Sequence, residues 1–155
     1  ADVDVTVDLG ARASRELVDV LTREGFALRV ADAAGFVEAT RVLPLVHRAS
    51  RMPLDVVLAG PGLEEQFFAR AREQLVGHVR VPVVSAEDLV AMKILAGRPK
   101  DVEDVTAVIR ARGNLDLDCT RETLRLLERA LDRADLVPEL DRIVACARPG
   151  PVDPS

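Results

Sequence analysis

The sequence predicts an α/β fold of the α+β kind: a small mixed or antiparallel sheet with flanking helices, followed by a helical C-terminal part. Three observations carry this. Residues 2–8 alternate Val with Asp and Thr, the period of two that buries one face of a strand. Residues 54–59 form an apolar, β-branched run closed by Gly60-Pro61-Gly62. Beyond Ser85 the apolar residues recur at helical spacing. At 155 residues the chain has one domain's length, a sheet layer with a helical appendage.

The elements follow in order. In the first strand Val3, Val5 and Val7 are expected in the core, with Asp2, Asp4, Thr6 and Asp8 on the other face. Residues 11–24 carry Leu17, Val18, Val20 and Leu21 at helical spacing and stop at Gly25. Residues 26–30 are a short strand, and Asp32 caps a helix over 33–40. Strands at 42–47 and 54–59 flank a five- or six-residue loop, a hairpin that makes the second antiparallel to the first. Pro53 suits a strand start. A helix over 62–72 precedes strands near 74–76 and 79–84, joined by the tight turn Gly77-His78.

Ser85 is an N-cap with Asp88 three residues on, and it opens a helix apolar nearly all round except for Lys93. That ammonium must either snorkel to the surface or meet an anion. Gly97-Arg98-Pro99 breaks the helix, and the next runs from Lys100 to Arg112, with Asp101 and Asp104 in dipole-favourable positions. A cap at Asp118 or Thr120 opens a helix over 120–132, with Leu124, Leu127 and Leu131 on its core face. The last helix covers 135–147 with Pro138 in its first turn, and 149–155 is read as a disordered tail.

Composition limits the function classes. Hydrophobic residues make up 48% and aromatics 3%, so the core is aliphatic. A net charge of -5 provides no overall basic field for nucleic acid, and any such partner needs a local patch. Only Lys93 and Lys100 among 21 basic residues are lysine, and no individual Arg is read as functional. Cys119 and Cys146 lack ligand spacing and read as small core fillers in a reduced cytosol. His47 and His78 have no second His or Cys to make a metal site. No signal peptide, lipidation motif or apolar run of ~18 residues is present, so the expectation is a soluble cytoplasmic protein with no membrane partner.

Chemistry concentrates in the acidic strand. Same-side residues on a strand lie roughly 6.5–7 Å apart, so Asp2 and Asp4 can lean onto one divalent cation, a hard-oxygen site that Mg²⁺ accepts. The competing reading is a solvated acidic face. Asp55, near the start of the second apolar run, is not placed there cheaply, since an unpaired buried charge costs several kcal/mol. If the two strands are neighbours, three carboxylates converge, the arrangement that holds two Mg²⁺ ions for phosphoryl transfer.

Taken together, Asp2-Val-Asp4-Val, Pro53-Leu-Asp55-Val-Val-Leu, Pro82-Val-Val-Ser-Ala-Glu87-Asp88-Leu-Val-Ala-Met-Lys93 and Arg98-Pro-Lys100-Asp101-Val-Glu-Asp104 resemble the AbiEii-type nucleotidyltransferases. These share the minimal polymerase-beta-like core and include the toxins of type IV toxin–antitoxin systems. Asp-x-Asp alone also occurs in glycosyltransferases and phosphatases, so the order and company of the motifs carry the likeness. The resemblance implies Mg²⁺ held by Asp2, Asp4 and Asp55, with Asp55 helping to deprotonate the acceptor hydroxyl. It implies Lys93 directed to the nucleotide phosphates, and Lys100, Asp101 and Asp104 at the cleft. The implied substrate is an NTP, the acceptor a hydroxyl of RNA (tRNA) or protein, and a further partner an antitoxin protein.

The implied organisation is a nucleotidyltransferase core over 1–84 and a helical part over 85–148. The family also carries a Gly-Gly or Gly-Ser turn and its helix ahead of the paired carboxylates, whereas here Ala1 directly precedes Asp2. The expectation is therefore an N-terminally truncated copy without the amides that cradle a triphosphate. The alternative is an inactive remnant that serves as a protein- or RNA-binding module.

Overall fold

Alternating residues at the start of the chain form β1 (Val3–Val7), which reaches its first sheet partner only after two helices and two further strands. The computed structural model describes residues 3–10, 14–60 and 62–147. The chain falls into two compact units, 1–66 and 67–155, a division earlier than the 84/85 boundary read from sequence.

In the first unit β1 is followed by α1 (Ser14–Arg23), β2 (Phe26–Leu28), α2 (Ala33–Thr40), β3 (Val42–His47) and β4 (Pro53–Leu58). The sheet order is β1-β4-β3-β2, with β1 parallel to β4 and the other pairs antiparallel, which makes it mixed. Leu43, Leu45 and Val56 are its buried centre. Leu17, Val18 and Leu21 of α1 and Val37 of α2 pack on that centre, so the two helices cover this face. Asp32 caps α2 as expected, its Oδ1 accepting from the Gly35 N–H at 3.0 Å.

Two details depart from the simplest reading. Val3 and Val5 are exposed, and of the β1 valines only Val7 packs on the core cluster. The cause is position, because β1 is an edge strand and its side chains have a strand neighbour on one side only. Pro44 is buried in the interior strand β3, where its missing N–H would usually break the ladder. It lies opposite Arg29, just past the end of three-residue β2, and its carbonyl accepts the Arg29 N–H at 2.9 Å. The missing donor lies on the same side, one residue past the last ladder pair Leu28–Leu45, so the gap falls at the end of the β2 pairing.

In the second unit β5 (Arg72–Val76) and β6 (Val79–Val83) make a hairpin, with Gly77 at φ +62° in the turn. The helix α3 (Leu63–Arg70) precedes it across the unit boundary. Four helices follow: α4 (Ala86–Ala96), α5 (Pro99–Ala111), α6 (Leu117–Leu131) and α7 (Leu136–Ala147). Their core is aliphatic, with Val90, Ile94, Val105, Ile109, Leu124, Leu140 and Ile143 all buried. Gly97 closes α4 in the left-handed region at φ +64°, where a side chain is strained.

Here α6 begins earlier than expected, because Asp116 takes the cap and accepts from the Asp118 and Cys119 N–H groups. Asp118 instead pairs with Arg121 one turn on, and Leu131 is exposed at the helix end. Cys146 is exposed and Cys119 half-buried, so neither is the core filler expected. Residues 149–155 lie outside the described residues. No helix of the described residues is long and apolar enough to cross a membrane.

Asp88, the residue read as a cap partner, is 0% exposed. Arg70 grips it with both arms of its fork, Nε at 2.9 Å and Nη2 at 2.5 Å, and Ser85 Oγ donates at 2.8 Å. Removing the cation strands a buried carboxylate. Arg70→Leu is expected to lower stability by about 2–3 kcal/mol, somewhat under the roughly 3–5 kcal/mol of a fully buried pair because Arg70 is partly exposed. Urea unfolding measures it, and a second change, Asp88→Asn, should recover part of the loss.

Candidate functional site

Register decides which acidic groups meet. In the parallel pairing of β1 with β4, Asp4 stands directly opposite Asp55. Asp55 in turn faces Pro44 of β3, whose carbonyl binds the Arg29 N–H. Asp4, Asp55, Pro44 and Arg29 therefore form one row across the sheet. The row lies on the face away from the core cluster, since Leu43, Leu45, Leu54 and Val56 alternate with it. Neighbouring strands are about 4.8 Å apart, which brings the two carboxylates within reach of a single cation.

Asp2 lies outside the described residues, so the expected trio is described here as the pair Asp4 and Asp55. Among the described residues no group of three or more His, Cys, Asp or Glu side chains is disposed to hold a metal. Asp55 Oδ1 accepts a hydrogen bond from Arg29 Nη2, while Oδ2 and both Asp4 oxygens have no hydrogen-bond partner among the described residues. Two carboxylates side by side with open acceptor positions are hard-oxygen donors of the kind Mg²⁺ takes, although the Arg29 guanidinium competes for one of them. That ion commonly takes one or two carboxylates and completes its shell with water and substrate phosphates.

The second group of motif residues lies in the second unit. Lys93 meets anions rather than snorkelling: its Nζ is 2.6 Å from Asp104 Oδ2 and 3.6 Å from Asp101 Oδ1. Asp101 is buried at the third position of α5. Its Oδ2 accepts the Arg98 backbone N–H at 3.2 Å and Nε at 2.6 Å, and its Oδ1 accepts Nη2 at 3.0 Å. It thus closes the helix start from inside. The Arg98 guanidinium, then the Arg98 N–H and the Lys93 charge, hold the Asp101 carboxyl down to about 2. The hydrogen bond to Asp104 is the main cause that raises Lys93. Lys100 is exposed and joins none of these contacts.

Sequence reasoning missed Arg29 and Arg70. An Arg-rich chain conceals them individually, and each is found only through its partner: Arg29 through the strand register and Arg70 through the burial of Asp88. It also missed a cleft of about 320 Å³ in the second unit, lined by Arg72, Gln74, Glu87, Arg112, Asn114 and Asp116 among others. Of the motif residues, Val83, Val84, Ser85, Ala86 and Glu87 line it, whereas Asp4, Asp55, Lys93, Lys100, Asp101 and Asp104 do not. Among the described residues the guanidinium groups of Arg72 and Arg112 have no ion-pair or hydrogen-bond partner.

The chain matches no protein-family model, and no curated protein matches it.

Because folding lowers the Asp101 pKa from 3.8 to about 2, the stability it contributes is complete above the higher value and is lost as pH falls through the lower. Asp101→Asn should therefore be less stable than the unaltered chain near pH 5. The gap should close as the pH approaches 2, in a series of urea titrations.

Proposed function

We propose that this protein is a Mg²⁺-dependent nucleotidyltransferase-like domain that transfers a nucleotidyl group from an NTP to a hydroxyl of RNA or protein. The observation that carries the proposal is the register that sets Asp4 beside Asp55 on the sheet face opposite the core cluster. The motif resemblance supplies the reaction class. In this reading Asp4 and Asp55 hold the cation, with Asp2 as a further ligand. A cation bound there would supply neutralisation of charge on the α-phosphate and the departing pyrophosphate. The acceptor oxygen attacks the α-phosphorus, the bond to the bridging oxygen breaks, and the hydroxyl proton passes to the Asp55 carboxylate. Lys93, Lys100, Asp101 and Asp104 enter only through the resemblance, as groups for the nucleotide phosphates. A toxin role with an antitoxin partner rests on the same likeness.

A second reading, a binding module for RNA or protein without catalysis, is favoured by the polar cleft with its unpaired Arg72 and Arg112.

Calorimetry and label transfer separate the two. The first reading expects ATP or another NTP to bind only with Mg²⁺ present, and Asp4→Asn or Asp55→Asn to weaken that binding about tenfold or more, ~1.4 kcal/mol. It also expects radiolabel from an α-labelled NTP to appear on an RNA or protein acceptor. NTP binding that is indifferent to Mg²⁺ and to Asp4→Asn would leave the binding-module reading in place.

A further inference from the structure

The acidic side chains held by arginine in this chain fall into two classes. Asp88 and Asp101 are buried, and both oxygens of each accept from cationic partners, Arg70 for one and Arg98 for the other. Such pairs are closed, since freeing either carboxylate leaves a charge out of water. Asp55 differs. Its side chain is 36% exposed and that of Arg29 39%, and a single hydrogen bond from Nη2 to Oδ1 joins them. Exposed ion pairs of this sort contribute about 0–1 kcal/mol. Next to Asp55 on the same face is the unpartnered Asp4.

We propose that Arg29 is an exchangeable counter-ion of this site. Without metal its guanidinium neutralises Asp55; when a divalent cation takes the Asp4–Asp55 pair, the guanidinium is released to bind the phosphate oxygens that arrive with it. This deepens the nucleotidyltransferase reading and rests on it. The physical case has three parts. A carboxylate that binds a divalent cation as well as a guanidinium must give one up, or share its oxygens at like-charge cost. The freed group stays in the row that holds the carboxylates, because its backbone is fixed by the bond to Pro44. Its planar fork matches phosphate oxygens in pairs, as an ammonium does not.

The two halves of the inference predict opposite signs from one substitution. With Mn²⁺ alone, followed by electron paramagnetic resonance or calorimetry, Arg29→Gln should bind about fivefold more tightly than the unaltered chain, the scale of an exposed ion pair. With Mg·ATP the same variant should bind about tenfold more weakly, the scale of a charge-assisted hydrogen bond. Arg29→Lys, which keeps the charge and loses the fork, should leave Mn²⁺ affinity near the starting value and still weaken Mg·ATP. Unchanged melting temperatures for both variants would show that folding is not the cause. Mn²⁺ binding that depends on Asp4 but is unaltered or weakened by Arg29→Gln overturns the inference and leaves the nucleotidyltransferase reading standing. Absence of Mn²⁺ binding in both the unaltered chain and Arg29→Gln overturns both.

Discussion

The parallel pairing of β1 with β4 is the constraint on which the acidic site depends. Antiparallel neighbours can be joined by a tight turn, but a parallel pair needs a long crossover. Residues 8–52 supply it here, as α1, β2, α2 and β3. The crossover also furnishes the packing that fixes the pair. Leu43 and Leu45 from its last strand are the buried centre, and α1 and α2 cover them. A shift of β1 by one residue against β4 would send Asp4 to the core face and Val3 and Val5 to the other. The burial preference of Val7 thus sets the place of Asp4, and the aliphatic core and the carboxylate row are two sides of one register.

Arginine is used across the chain to hold carboxylates, and burial decides what each pair can do. Around Asp88 the fork of Arg70 and the Ser85 hydroxyl leave no open acceptor, and the contact ties residue 70 to the start of α4. Around Asp101, Arg98 and Lys93 secure the break between α4 and α5, where Pro99 prevents one continuous helix. These are structural anchors made from motif residues. The lysine that the resemblance directs to phosphate already has two carboxylates in its own unit. Its packing role is therefore enough to account for a lysine on an otherwise apolar helix. At Asp4 and Asp55, by contrast, neighbouring carboxylates keep oxygens without a hydrogen-bond partner among the described residues.

Much of this was legible in the sequence, and the reason lies in local signals. Ser85 before an apolar helix, Gly97 after it and Gly77 between two strands each state a backbone conformation within a few residues, and each was read correctly. The hairpin of β3 and β4 followed from loop length. The failures were matters of distance along the chain. That β1 lies at an edge depends on what fails to pair beyond it, so Val3 and Val5 read as core and are exposed. The cap of α6 was misplaced because Asp116, Asp118 and Thr120 are all acceptable caps within five residues. Propensity does not rank them. Arg29 and Asp55 are 26 residues apart and meet only through the register of three strands.

Edge position has a chemical consequence as well. On β1 the half-exposed valines contribute less to holding the strand than a central strand's would, so Asp4 is positioned chiefly by the ladder to β4 and by Val7. Asp55 is held from both sides, by β1 and by β3, with Pro44 packed directly opposite. The two carboxylates are thus unequal, one on a central strand and neutralised by Arg29, the other on an edge and unpaired. A divalent cation between them would change the two in different ways: Asp55 would exchange one cationic partner for another, whereas Asp4 would gain its first. The electrostatic gain on binding would therefore come mainly from Asp4, although Asp55 is the better fixed of the two.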